Sequence, residues 1–121
     1  MTVQLDQQQI IHQLGKMGRE LDQLVREISA QELKWLKSNR AATHAEAVAY
    51  LQAEGPVEIR KRTAFLAAEE LLDQAEVDGA TLRHLKSQIK ALEIRIDIGR
   101  TLSATTRAEL AILGGPNGKE A

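Results

Sequence analysis

Residues 56–113 read PVEIRKRTAFLAAEELLDQAEVDGATLRHLKSQIKALEIRIDIGRTLSATTRAELAIL, with no proline after Pro56 and only Gly79 and Gly99 among otherwise helix-forming residues. At about 1.5 Å rise per residue, one continuous helix of that length extends roughly 85 Å. The chain has 121 residues, too few to wrap a core of its own around such a helix. The apolar stripe must therefore meet a second long helix, another subunit, or both.

The spacing within this stretch supports a helix that packs. Leu82, Leu85, Ile89, Leu92 and Ile96 recur at 3-4-3-4, and Gly99 and Ser103 continue the phase with small side chains that let another backbone approach. Ile94, Ile98 and Leu102 form a second apolar row, which makes this region apolar on more than one side. Upstream, residues 57–75 are alanine-rich, with Ile59, Phe65, Leu66, Leu71 and Leu72 as the larger apolar groups. Asp78 and Gly79 mark a hinge or a break, and a bent but continuous helix is the favoured reading.

Working outward toward the N-terminus, Ile10, Leu14, Met17, Leu21, Leu24 and Ile28 repeat at 4-3-4-3-4, and Gln31 and Trp35 extend the seam. This predicts a first helix over 8–37, with Gln31 as a polar group on the seam able to fix register. Ser38-Asn39-Arg40 reads as a break. Thr43 and Glu46 stand at capping-box spacing, so a short helix is expected over 44–53. Gly55 suits the left-handed position after a helix and Pro56 blocks continuation, so the last helix is placed at 57–112. The glycine-rich 114–121 segment is expected to be a disordered tail.

Composition narrows the class. Cysteine is absent, which removes disulfides and thiolate metal sites, and the three aromatic residues are few for a globular core. Strand-like β-branched runs are missing. No apolar run approaches the ~20 residues that span a bilayer, and the polar start MTVQLDQQQ does not resemble a signal peptide. A cytoplasmic, all-α protein without membrane partners is the expectation.

The net charge is −1, but the charges are banded. Arg60, Lys61 and Arg62 precede an acidic segment of Glu69, Glu70, Asp73, Glu76 and Asp78, and a basic one follows with Arg83, Lys86, Lys90, Arg95, Arg100 and Arg107. Staggered partners would neutralise these bands, or a basic band would hold phosphates. Alternatively, the bands are a solvated face. Arg60, Lys61 and Arg62 stand near a helix N-terminus, where cations are unfavourable, which raises their functional interest. Lys34, Lys37 and Arg40 surround Trp35, an arrangement that fits a stacked base between phosphates or a buried seam residue flanked by solvated lysines.

Catalytic chemistry has little support. His12, His44 and His84 lie in separate segments without ligand spacing. Glu69, Glu70 and Asp73 share helical reach, but no histidine accompanies them and a solvated acidic face is the simpler reading. Gly15-Lys16-Met17-Gly18 lies inside the first heptad run and lacks the strand that a phosphate loop requires. No nucleophile elbow appears. Neither cofactor nor metal is expected, and the chain is read as a non-enzyme.

The order of elements resembles the small bacteriophage recombination mediators of the UvsY type. The similarity is carried by a first helix ending in Lys34-Trp35-Leu36, a basic-started helix Val57-Glu58-Ile59-Arg60-Lys61-Arg62, and the run Leu92-Glu93-Ile94-Arg95-Ile96-Asp97-Ile98-Gly99-Arg100-Thr101-Leu102-Ser103. It covers most of the chain in architecture and short patches in sequence. The resemblance implies a ring-forming helical protein that binds single-stranded DNA and helps a recombinase displace single-strand-binding protein. Arg60, Lys61 and Arg62 match the basic cluster that the family uses for DNA. The acidic segment that follows and the slightly negative net charge depart from the family pattern and imply weak, salt-sensitive binding.

The combined expectation is an all-α, coiled-coil-like hairpin that assembles into a homo-oligomer. Leu82, Leu85, Ile89, Leu92, Ile96 and Gly99 form the expected oligomer interface. Arg60, Lys61, Arg62, Arg83, Lys86 and Lys90 form the expected DNA surface, with a recombinase or single-strand-binding protein as partner. The alternative is a protein-binding coiled coil without a nucleic-acid role.

Overall fold

A computed structural model describes the backbone of residues 6–120 and the side chains of residues 6–113. Two helices account for it, α1 (Gln7–Gln52) and α2 (Val57–Glu120). Asp6 opens α1. Its Oδ1 accepts from the Gln9 amide at 2.7 Å, and the Asp6 amide donates to Gln9 Oε1 at 3.0 Å, a reciprocal capping box.

The turn between the helices is as expected. Gly55 has φ of 108°, a conformation that residues with a Cβ rarely adopt, and Pro56 follows it. Glu58 then places a carboxylate in the first turn of α2, where the helix dipole favours it. Through Asp78 and Gly79 α2 continues without a break.

The expected break at Ser38–Arg40 does not occur, and neither does a separate helix over 44–53. Ser38 Oγ donates to the Trp35 carbonyl, and Thr43 Oγ1 donates to the Asn39 carbonyl, so both hydroxyls are satisfied inside a continuing helix. The heptad also persists. Ser38, Ala42, Ala45 and Ala49 keep the 3-4 spacing and are buried or half-buried. At the C-terminus α2 runs beyond the expected end near residue 112 to Glu120. The rest of the expected tail, Ala121, lies outside the described residues.

The chain divides into two compact units, Met1–Val25 with Gln88–Ala121, and Arg26–Ser87. Each pairs a part of α1 with a part of α2. In the unit that contains the turn, the buried residues are mostly small: Ala42, Ala64, Ala68, Ala75 and Gly79, with Leu82 as the large member. Trp35 lies against Gly79, where an added Cβ would sit 2.9 Å from its Nε1. Asp78 is 3% exposed, and its Oδ1 accepts from Gln74 Nε2 at 3.0 Å and lies 3.7 Å from Lys34 Nζ. Gln31 Nε2 donates to the Asp78 carbonyl at 2.9 Å, the register-fixing contact expected of a polar seam residue.

In the unit that contains the termini, larger apolar groups meet. Ile10, Leu92 and Ile96 are buried, and Leu14 and Met17 approach Gly99. Gln7 Nε2 donates to the buried Ser103 Oγ at 3.2 Å.

The two seam glycines face different neighbours. A Cβ at Gly99 would meet the Leu14 Cδ2 methyl at 2.8 Å, the mobile end of a flexible chain. At Gly79 it would meet the indole ring. Gly99→Ala is therefore expected within about 1 kcal/mol of the parent, since helix propensity offsets the contact. Gly79→Ala should destabilise by about 1–3 kcal/mol through overpacking. Urea unfolding followed by circular dichroism checks both, and equal effects would contradict a tightly seated Trp35.

Candidate interaction surface

The seam assigned to an oligomer interface is instead occupied within the chain. Leu82, Leu92 and Ile96 are buried, and Leu85, Ile89 and Gly99 are half-buried, without any second copy. Antiparallel return of α2 along α1 supplies the partner in each unit, as the approach of Leu14 to Gly99 and of Trp35 to Gly79 illustrates. A 3-4 repeat requires a facing helix but does not say which chain provides it.

What remains uncovered is the rest of the apolar content. Among the described residues, eighteen large apolar side chains are exposed, whereas the buried core holds only Ile10, Leu82, Leu92 and Ile96 besides four alanines. In the unit with the termini, Ile94, Ile98 and Leu102 are 60%, 55% and 46% exposed and recur every fourth residue, a continuous row on one helix face. In the unit with the turn, Leu33, Leu36, Val48, Ile59, Phe65 and Leu66 are exposed.

The expected DNA residues do not behave as one group. Arg60 is engaged at the turn. Its guanidinium lies 4.3 Å from the centre of the Tyr50 ring, Nη2 donates to the Tyr50 carbonyl at 3.2 Å, and Nε is buried without a hydrogen-bond partner. It ties the start of α2 to the end of α1, so its charge does not face solvent with those of its neighbours. Lys61 stands 3.9 Å from Glu58 in an exposed pair, a type worth little. Arg62, Arg83, Lys86 and Lys90 are exposed, and among the described residues no ion pair or hydrogen bond engages them.

Trp35 is half-buried on the internal seam, which makes it a packing residue and not a stacking platform, while Lys37 and Arg40 beside it are exposed. Glu69, Glu70 and Asp73 are exposed. Among the described residues no three His, Asp or Glu side chains converge as a metal site, and no helix is long and apolar enough to cross a membrane. Concave surface in the unit with the termini is shallow. One depression of about 350 Å³ is lined by Glu20, Leu24, Leu92 and Arg95. A wider one of about 810 Å³ is lined by Ile10, Leu102, Leu110 and Leu113.

The structural roles of three residues escaped the sequence reading. Asp6 and Gln9 carry a capping-box spacing that the sequence displays openly. Asp78 falls on the extended seam rhythm of Ala75, Asp78 and Leu82, and that rhythm is the signal that placed it inside.

The division between Arg60 and Arg62 is testable. Arg60→Ala should cost about 1–2 kcal/mol by removing the ring contact and a hydrogen bond, whereas Arg62→Ala should stay within about 0.5 kcal/mol. Thermal unfolding of the two variants checks this, and an Arg60→Ala variant as stable as the parent would contradict the turn-closing role. Comparison of the chain with protein-family models, with curated proteins and with solved structures gives no match.

Proposed function

We propose that this chain is a non-enzymatic assembly protein, a helical hairpin whose outer faces dock on other helices. One observation carries this reading: most of its large apolar side chains lie outside its own core. A contiguous exposed apolar row marks a surface that another molecule covers, and the i, i+4 rhythm of Ile94, Ile98 and Leu102 suits an amphipathic helix as the covering element. Replacing these three residues by serine should leave the helical circular dichroism unchanged and reduce the assembled mass seen by light scattering. A parent chain that stays a single copy at every concentration and captures no helix on this row overturns the proposal.

The exposed, unpaired cations favour a second reading. Arg62, Arg83, Lys86 and Lys90 are available to phosphates, which suits an accessory factor of phage DNA recombination or replication that holds single-stranded DNA and docks on a recombinase or single-strand-binding protein. Fluorescence anisotropy with oligo-dT at low salt tests it. Removing one cation that neutralises a phosphate should lower the slope of log affinity against log salt by about 0.7 for a single strand. Arg62→Ala should therefore weaken binding and Arg60→Ala should not. Absence of binding at low salt removes this reading.

A further inference from the structure

The face of α2 turned away from the internal seam carries a charge pattern that is its own complement. Within the unit that contains the turn, Glu70, Asp73, Val77, Ala80, His84 and Ser87 recur at 3-4-3-4-3, and all six are exposed. The buried Ala75, Gly79 and Leu82 lie on the opposite side of the same turns. Glu76 and Arg83, also exposed, border this stripe on one flank at heptad spacing. Gln74 and Thr81 border the other flank and are neutral.

We propose that this face binds a second copy of itself in antiparallel orientation, about a two-fold axis level with Asp78 and Gly79. Antiparallel heptad packing opposes the two seam positions and sets like flanking positions against each other. Val77 then faces Ala80 of the other copy, Asp73 faces His84, and Glu70 faces Ser87. On the flank, Glu76 meets Arg83. The symmetry makes every contact twice.

Charge decides the orientation. A parallel arrangement in register sets Glu70 and Asp73 against their own copies, which repels, and leaves Glu76 and Arg83 facing the neutral Thr81 and Gln88 of the other flank. The antiparallel one brings opposite charges together at each charged flanking position. At the centre, Val77 is 58% exposed and Ala80 is small, so two helices approach closely around an apolar middle. Glu76 and Arg83 are seven residues apart on one helix, beyond the three- and four-residue reach of intrahelical pairs. Their pairing therefore needs two chains.

The inference rests on the assembly reading above and names one of its contacts. Sedimentation equilibrium of the full chain at low salt tests it with Glu76→Arg, Arg83→Glu and the double exchange. The parent should associate reversibly and dissociate as salt rises. Each single change should raise the dissociation constant about tenfold, and the double exchange, which restores opposite charges across the axis, should recover most of that affinity. Circular dichroism of each variant should match the parent, since all the changed positions face solvent.

Association that ignores both single changes, or a double exchange no better than either, places the contact on another face and overturns the inference while assembly stands. A chain that never associates overturns the inference and removes self-assembly with it. A single-copy chain whose oligo-dT binding is abolished by Arg83→Glu assigns the basic residues to nucleic acid, and overturns the inference as well.

Discussion

The structure depends on how closely two helices pack when their facing side chains are small. In the unit built around the turn, alanine and glycine occupy most of the buried positions where a typical coiled coil places leucine. Alanine removes little apolar area from water, so this pairing draws on close van der Waals contact more than on area. It also depends on fit. Trp35 lies on Gly79, and Asp78 is buried only because Gln74, Gln31 and Lys34 surround its polar atoms. Leu82 and Trp35 find room between the helices, and most of the other large apolar groups of this unit occur on the outside.

That arrangement links packing to function. A fold whose large hydrophobic residues are mostly internal has no need of company. Here the internal seam is satisfied by small residues and a few large ones, while leucine, isoleucine, valine and phenylalanine recur on outer faces. The charges follow a related division. Arg60 and Asp78 are committed to internal contacts, whereas Arg62, Glu76, Arg83 and Lys86 remain at the surface.

Much of this was legible in the residues. The 3-4 rhythm from Ile10 to Trp35 and from Leu82 to Ile96 identified both helices and their buried faces, and Gly55-Pro56 located the turn. The rhythm did not reveal whose helix completes each seam, because the same spacing serves a hairpin and a dimer. The connection is only four residues long, from Ala53 to Pro56, and that shortness favours the chain's own return. Ser38–Arg40 misled because a serine or threonine signals a cap only when its oxygen accepts from a backbone amide of the turn that follows it. Ser38 and Thr43 bond back into their own helix. Arg60 was unreadable as a turn clasp because its partner, Tyr50, comes from the preceding helix and meets it only once the chain has reversed.

The seating of Trp35 also gives the molecule a built-in optical gauge. It is the sole tryptophan of the chain, and its indole rests on the Gly79 backbone of the facing helix. Its tryptophan emission therefore comes from one level of the helix pair, and any parting of the two helices at that level wets the indole and shifts its colour. Tyr50, the sole tyrosine, sits under a guanidinium at the reversal of the chain. The two native chromophores thus sample separate heights of the same hairpin arm, and they can follow its opening without any attached dye.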